Sequence, residues 1–197
     1  LSSVLQKVNI PVIAAGGFRD GSGLAAALAW GADGIAMGTR FMMTQESPVP
    51  SQTKESYISA GIDDIKITKK FDGLPHRLIF NDYIKKIDHS NPFTLLWISI
   101  GSAIKYKQLT QSSYKDLIKA FFAMLKGDDL TISQSVMSAN SPAIIQKAMV
   151  EGFPEEGAMP SGQVAGIITN LPACEDLVLE IMNDFDQACS KLEGIRR

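Results

Sequence analysis

The 197-residue sequence lacks the features that mark several classes of protein. Its 19 lysines and arginines are outnumbered by 21 acidic residues, which argues against the basic face of a nucleic-acid-binding protein. The longest apolar run, "FTLLWISIG" at 93–101, is much shorter than the roughly 20 residues of a membrane-spanning helix. We therefore expect a soluble globular protein with no nucleic-acid or membrane partner.

Cysteine and histidine are scarce, with two residues of each. Cys174 and Cys189 fall in one helical pattern, where a rise of about 1.5 Å per residue would separate them by about 22 Å. They therefore cannot form a disulfide with each other, and no Cys/His spacing fits a metal site, so we predict buried thiols, no metal and a reducing cytoplasm. We interpret His76 as a surface or loop residue and His89 as a turn residue.

The first residues, "LSSVLQKVN", contain no initiator methionine. They resemble the end of a helix that leads into a strand. We therefore expect the chain to be a piece of a longer protein that lacks its N-terminal part.

Two short apolar runs near the beginning predict a βαβ unit. Residues Ile10–Ala15 are predicted to form a strand buried on both faces. Asp20 is the expected N-cap of a helix over 21–30, which Gly31 would end. Residues 33–38 form the second predicted strand. A strand, a helix and a strand in so short a segment imply adjacent parallel strands joined by a right-handed crossover.

The remainder of the sequence is predicted to be mainly helical. Apolar residues at helical spacing indicate helices near 39–47, 51–60, 114–126, 141–152 and 172–194, with one short strand permitted around Ile65 and Ile67. In the last helix we expect Pro172 in the first turn and a buried stripe formed by Leu177, Val178, Ile181, Phe185 and Leu192. We accordingly divide the chain into a βαβ region, 1–47, and a mainly helical region, 48–197.

Glycines follow both predicted strands of the βαβ unit. Gly16 and Gly17 come after the first strand, and Gly38 and Thr39 come after the second. Ligands of parallel α/β proteins bind at the carboxyl ends of strands, where glycine lets backbone N–H groups approach a phosphate. A single glycine-rich loop is often only a turn, but the second loop at βα distance favours a phosphate site, with the Thr39 hydroxyl as a further donor.

Other phosphate-binding motifs fit this sequence poorly. No Lys-Ser/Thr pair follows the glycines, as a P-loop requires. The order "GGFRDGSG" departs from the G-x-G-x-x-G of a dinucleotide-binding fold, and Asp33 precedes the second strand instead of ending it. The remaining arrangement is a TIM barrel, whose phosphate site is commonly built by the loops after strands 7 and 8.

Residues 9–47, which include "IPVIAAGGFRDGSGLAAALAWGADGIAMGTRFMMTQES", closely resemble the strand 7 to strand 8 region of the nitronate monooxygenase family. The resemblance returns at "GLPHRLIFND" (73–82) and at "PSGQVAGIITNLPACEDL" (160–177). It implies an α/β fold: the C-terminal part of a (β/α)8 TIM barrel, about its last two strands, followed by a mainly helical region that packs on the barrel.

The resemblance also implies an FMN cofactor. The residues it assigns to FMN are Gly16, Gly17, Met37, Gly38 and Thr39 around the phosphate, and Gln163 in the loop 161–166 near the flavin ring or the substrate cavity. The family's catalytic histidine lies upstream of the matching segment, so we expect no catalytic residue in this chain. Arg19 and Arg40 are either phosphate partners or residues of the barrel rim paired with an acid.

Three functions remain open at this point. The leading one is oxidation of alkyl nitronates with O2 by an FMN-dependent enzyme that acts on a small molecule. The second is an NAD(P)H-dependent flavin reductase of the quinone reductase or enoyl-ACP reductase II type. The third is a non-catalytic fragment. Whether the protein forms a homo-oligomer is left open.

Overall fold

The structure, a computed structural model, describes residues 1–91, 94 and 132–195. It divides the chain into two compact units: Leu1–Pro48 together with Gly162–Arg197, and Val49–Ser161. Residues 162–195, which the sequence analysis placed in the helical region, are thus grouped with the first unit. The assignment of 48–197 to one helical region packed on a barrel stays a prediction. The predicted helix at 114–126 lies outside the described residues.

The described elements follow in chain order. They are α1 (Ser2–Leu5), β1 (Ile13–Ala15), α2 (Gly21–Ala29), β2 (Gly34–Ala36), α3 (Thr39–Met42), α4 (Ser51–Ser59), β3 (Ile65–Thr68), β4 (His76–Ile79), α5 (Asp82–His89), α6 (Ile132–Met149) and α7 (Cys174–Ile195), with 3-10 helices at Ile62–Asp64, Pro154–Glu156 and Gln163–Ile167. In the part of the chain that the structure describes, no helix has the length and apolar character needed to cross a membrane.

The first unit contains the predicted βαβ arrangement. Strands β1 and β2 are adjacent and parallel, with Ala14 opposite Ile35. The Asp20 side chain accepts a hydrogen bond from the N–H of Gly23 at 2.9 Å and so caps α2, as expected. Gly31, at a φ of +100°, follows the end of the helix. The predicted order and pairing are therefore confirmed, although each strand is only three residues long.

The expectation that the first strand is buried on both faces is wrong. Ala14 is 5% exposed and packs with Ala27 and Ala32, whereas the side chain of Ile13 is 56% exposed. Successive side chains of a strand point to opposite faces of the sheet. In the described residues this sheet consists of β1 and β2 alone, and only the face that carries Ala14 is covered by α2 and the residues that follow it.

Helix α7 packs closely on α2. A Cβ atom at Gly21 would lie 2.0 Å from the carbonyl oxygen of Ile181, so the two backbones approach each other at a point where only glycine fits. Leu177 and Ile181, four residues apart, are the buried side chains of α7. The backbone N–H of Cys174, at the start of α7, donates to both carboxylate oxygens of Glu46 at 2.9 Å.

Two details predicted for this last helix are wrong. Val178 and Leu192 are 47% and 54% exposed, because the narrow contact with α2 takes only the face of Leu177 and Ile181. Pro172 precedes the helix and is not in its first turn, since α7 begins at Cys174.

The second unit combines a β-hairpin with helices. Strands β3 and β4 are antiparallel, with Ile65 opposite Ile79. Its apolar core is formed by Phe71, Leu78, Phe80, Ile84, Ile87, Ile144 and Ala158. The sequence permitted β3 and predicted α4 and the second half of α6, but it gave no expectation of β4 or α5.

Both histidines belong to regular elements of this unit, so their assignment to a loop and a turn is corrected. His76 opens β4, and its Nε2 lies 2.7 Å from a carboxylate oxygen of the buried Asp72. His89 is the last residue of α5. The Asp72 side chain also accepts a hydrogen bond from the N–H of Leu74 at 2.9 Å. Asp72 therefore contacts both Leu74, in the connection between β3 and β4, and His76, at the start of β4.

Candidate functional site

The two glycine loops lie side by side at one edge of the β1–β2 sheet. Ala15 and Ala36 are partners in the parallel ladder, so the chain leaves both strands at the same edge. Gly16 and Gly17 follow β1 directly, at φ angles of +92° and +84° that favour glycine. Gly38 follows β2 and is the N-cap of α3. The structure therefore brings together the two loops that the sequence singled out.

The space around these glycines is open. A Cβ atom added at Gly16, Gly17 or Gly38 would meet no other atom of the described residues within 4 Å. The φ of Gly38 is −86°, which any residue can adopt, so its backbone conformation does not require glycine. The absence of a side chain at Gly38 thus leaves free space at the strand end, where a group bound to the loops could lie.

Thr39 joins the second glycine loop to the C-terminal part of the chain. Its Oγ1 accepts a hydrogen bond from the backbone N–H of Gly162 at 2.8 Å. A hydroxyl group has one hydrogen to donate and two lone pairs, so the Thr39 O–H keeps its donor capacity. Gln163, the neighbour of Gly162, is exposed and begins the 3-10 helix Gln163–Ile167 that packs near α3. Met37, the remaining predicted residue, is half-buried beside Gly38.

The two arginines of the glycine loops contact protein groups. Arg40 is 5% exposed, and its guanidinium donates to Asn170 twice, to the backbone oxygen at 3.3 Å and to Oδ1 at 2.8 Å. Arg19 donates to the carbonyl oxygen of Ile167 at 3.0 Å and lies 3.2 Å from a carboxylate oxygen of Asp20. Pairing with an acid was one of the two alternatives for Arg19. Asn170 was not singled out from the sequence, because its contact joins residues 130 positions apart.

A polar cleft of about 170 Å³ lies beside these arginines. It is lined by Arg19, Asp20, Arg40, residues 167–170, Glu180 and Asp184. Burial lowers the pKa of the Arg40 guanidinium, the charge of Glu180 opposes that change, and the charge of Arg19 adds to it. Carboxylates outnumber guanidinium groups around the cleft, which makes it a poor site for a phosphate.

No group of three or more His, Cys, Asp or Glu side chains is placed to hold a metal ion within residues 1–91, 94 and 132–195. The open strand ends remain the place where the sequence predicts a ligand, and the phosphate predicted there stays a prediction.

Comparison with known proteins identifies this architecture. A parallel βαβ unit with glycine loops at the carboxyl ends of its strands belongs to the α/β class, and the solved structures it resembles indicate a TIM-barrel-type fold. A family model described as nitronate monooxygenase matches residues 1–184, and the chain belongs to this family.

Two of the curated proteins that this chain resembles are CoA-thioester dehydrogenases. The (3aS,4S,5R,7aS)-5-hydroxy-7a-methyl-1-oxo-octahydro-1H-indene-4-carboxyl-CoA dehydrogenase of Rhodococcus jostii is 43% identical over 196 residues, which are 100% of this chain and 56% of that protein. The enzyme of the same name from Mycobacterium tuberculosis is 42% identical over 187 residues, 93% of this chain and 53% of that protein. The chain thus spans about half the length of these relatives.

Other similarities are shorter or more distant. A probable nitronate monooxygenase of Staphylococcus saprophyticus is 38% identical over 85 residues, 43% of this chain and 24% of that protein. Among solved structures, FabK from Thermotoga maritima superimposes with a TM-score of 0.65 at 28% identity, covering 98% of this chain and 50% of FabK. Nitroalkane oxidase from Streptomyces ansochromogenes has a TM-score of 0.61 at 24% identity, covering 97% of this chain and 44% of that chain, a likeness in fold alone.

Proposed function

We propose that the complete protein containing this chain is an FMN-dependent oxidoreductase. Family membership supports redox chemistry, since the names monooxygenase and dehydrogenase both describe enzymes that oxidise a substrate. The open glycine loops at the strand ends support a phosphate-bearing cofactor. Fold similarity alone would not establish either point.

The residues at the strand ends fit the phosphate of FMN. Backbone N–H groups of Gly16, Gly17 and Gly38 would hold the phosphate, because no side chain of the described residues lies within 4 Å of the Cβ positions of these glycines. Thr39 would donate its hydroxyl hydrogen, while its oxygen stays bonded to Gly162. Bound FMN supplies the electron-transfer chemistry, and the protein supplies binding, orientation and electrostatics.

Two further predicted contacts belong to the same proposal. Met37, half-buried between β2 and Gly38, would shape the loop on the phosphate side. Gln163 would lie toward the flavin ring or the substrate cavity, and its support is the contact of its neighbour Gly162 with Thr39. The catalytic acid or base is expected in the part of the protein that precedes these residues.

The substrate that we propose first is a CoA thioester of a hydroxylated cyclic carboxylic acid. The single observation that carries this proposal is the 43% identity to the Rhodococcus jostii dehydrogenase over 196 residues. Dehydrogenation of such a substrate would remove two hydrogen atoms from it, and the corresponding two electrons and two protons would pass to the cofactor and a protein base.

Oxidation of alkyl nitronates with O2, the function the sequence placed first, is the second candidate. Its support is the family model that matches residues 1–184. The similarity to a probable nitronate monooxygenase covers only 43% of this chain, which is why we place this candidate second.

The test begins with the complete protein purified from cells. Its visible absorption spectrum, and chromatography of the cofactor released on denaturation, should show FMN. Incubation with the hydroxylated CoA thioester and an electron acceptor should give a product that lacks two hydrogen atoms by mass spectrometry. Oxygen uptake with an alkyl nitronate, and no turnover of the thioester, would favour the second candidate, and a colourless protein that binds no FMN would overturn the proposal.

A further inference from the structure

Two consecutive residues of α3 are hydrogen-bonded to one C-terminal segment, residues 162–170. Thr39 accepts from the N–H of Gly162, and Arg40 donates twice to Asn170. The two ends of the segment 162–170 are thus both fixed to the first turn of α3. A rigid connection of this kind restricts how the second glycine loop can move relative to the segment that carries Gln163.

Arg40 is suited to holding α3 against the segment 162–170, because the residue is buried and its guanidinium group is planar. It is 5% exposed, and a guanidinium fork that meets two acceptors on one residue fixes both distance and orientation. Glu180 provides a negative charge that opposes the cost of burying the guanidinium. Arg40 directly follows Thr39 in the chain, so a guanidinium anchored on Asn170 restrains the backbone next to Thr39.

The surroundings of Arg40 argue against direct contact with a phosphate. The cleft beside it is also lined by Asp20, Glu180 and Asp184, whose carboxylates would repel an anion. At Gly16, Gly17 and Gly38, by contrast, no atom of the described residues lies within 4 Å of an added Cβ, so no carboxylate of these residues is that close.

We propose that Arg40 and Asn170 are positioning residues for the FMN phosphate. Together they hold the loop Met37–Thr39 against the segment 162–170, and neither touches the phosphate. This inference rests on the proposed FMN site. It implies that Asn170, a residue remote in sequence from both glycine loops, controls the part of flavin affinity that comes from the phosphate.

The experiment compares FMN with riboflavin, which is the same flavin without the phosphate. Apoprotein of the complete protein is titrated with each flavin, for the unchanged protein, Asn170→Ala and Asn170→Asp. Asn170→Ala should lower FMN affinity by about tenfold, the effect of losing one hydrogen bond to a charged group, and leave riboflavin affinity unchanged. Asn170→Asp keeps an acceptor for Arg40 and should retain FMN affinity. Thr169→Ala, at the neighbouring exposed position, is the matched control and should change neither value.

A second pair of variants separates positioning from direct binding. If Arg40 acts through Asn170, Arg40→Met and the double variant Arg40→Met/Asn170→Ala should lose FMN affinity to the same extent. If Arg40 contacts the phosphate directly, Arg40→Met should weaken FMN binding while Asn170→Ala does not, and this result would overturn the inference. Should Asn170→Ala not fold, Asn170→Ser carries the same expectation.

Different results would refute the positioning role of Asn170 and the proposed FMN site. An equal loss of FMN and riboflavin affinity in Asn170→Ala would show a merely structural role and refute the inference alone. Unchanged affinity of Asn170→Ala for both flavins would refute it as well. Binding of neither flavin by the unchanged protein would refute the FMN site and with it this inference.

Discussion

The oxygen of the Thr39 side chain accepts a hydrogen bond from the backbone N–H of Gly162 at 2.8 Å, across 123 residues of sequence. A Cβ atom at Gly162 would lie 2.8 Å from the same oxygen, so the approach is close on both sides. This contact connects the loop after β2 to the segment that contains Gln163. It therefore relates two parts of the proposed FMN site that lie far apart in the chain.

Replacement of Thr39 tests the role of its hydroxyl group. Thr39→Val should weaken FMN binding by about 1.5–3 kcal/mol, because the donor to a charged phosphate is lost. It also removes the acceptor for Gly162, so the melting temperature should fall. Thr39→Ser keeps both functions and should stay close to the unchanged protein in FMN titrations. Equal FMN affinities for Val and Ser at this position would show that the hydroxyl does not contribute.

The variant Gly21→Ala tests the close packing of α2 on α7. A methyl group at Gly21 would lie 2.0 Å from the Ile181 oxygen and 2.2 Å from the Phe185 nitrogen, so Gly21→Ala should separate the two helices. We expect a loss of unfolding free energy of about 1–3 kcal/mol or more, typical of overpacking. Gly194→Ala is the control, because an added Cβ there meets no atom of the described residues within 4 Å. Urea denaturation with equal midpoints for the two variants would contradict this packing.

The buried hydroxyl of Tyr57 should make the unfolding free energy depend on pH. Its hydroxyl donates to the Pro160 carbonyl, and burial raises the pKa of Tyr57 above its ordinary value of 10.0. A group with a raised folded-state pKa contributes stability below the unfolded-state pKa and loses it as pH rises further. The unfolding free energy should therefore fall above about pH 10, more steeply in the unchanged protein than in Tyr57→Phe.

At neutral pH the Tyr57→Phe variant should be less stable by about 1–3 kcal/mol, since the Pro160 oxygen loses its donor. Denaturation curves recorded at neutral and alkaline pH measure both effects. Parallel dependence on pH in the two proteins would show that ionisation of Tyr57 is not linked to folding.

Exposed apolar side chains on β1 and in the neighbouring segments predict that the 197-residue chain alone is poorly stable. Ile10 and Ile13 are 70% and 56% exposed, and Trp30 is 62% exposed. Loss of apolar burial at about 25 cal/mol per Å² can exceed the roughly 5–15 kcal/mol by which a domain is stable. The isolated chain should bind a hydrophobic dye and melt well below the complete protein. Cooperative unfolding of a monomer at high temperature would show that the chain has a sufficient core of its own.

The secondary structure of the βαβ segment in the first unit could be predicted from the sequence. The apolar runs, the Asp20 cap and Gly31 follow rules that act within a few residues, and the pairing of β1 with β2 follows from the crossover rule. The position of the two glycine loops at one sheet edge followed from that pairing. The FMN assignment of their residues came from family resemblance and stays a prediction.

The remaining features depend on contacts that no local pattern encodes. The exposure of Ile13 depends on which elements cover the sheet, and the apolar run alone does not show which of its faces another element covers. The pairing of Arg40 with Asn170 and the contact of His76 with Asp72 depend on tertiary structure. β4 was missed because its four residues include the polar pair His76 and Arg77, which obscured the strand pattern.

The central claim is that the glycines after β1 and β2 keep space open for one FMN phosphate. Gly17→Val and Gly38→Val in the complete protein place a side chain in that space. Gly31→Val shares the positive φ and open surroundings of Gly17, and Gly194→Val shares the open surroundings of Gly38, so these two variants are the matched controls.

The decisive measurement is the FMN content of the four purified, folded variants, determined from visible absorbance per protein. We predict that Gly17→Val and Gly38→Val carry no FMN, while Gly31→Val and Gly194→Val retain as much as the unchanged protein. Stoichiometric FMN in folded Gly17→Val and Gly38→Val would show that these glycines are only turn residues and that the phosphate is bound elsewhere.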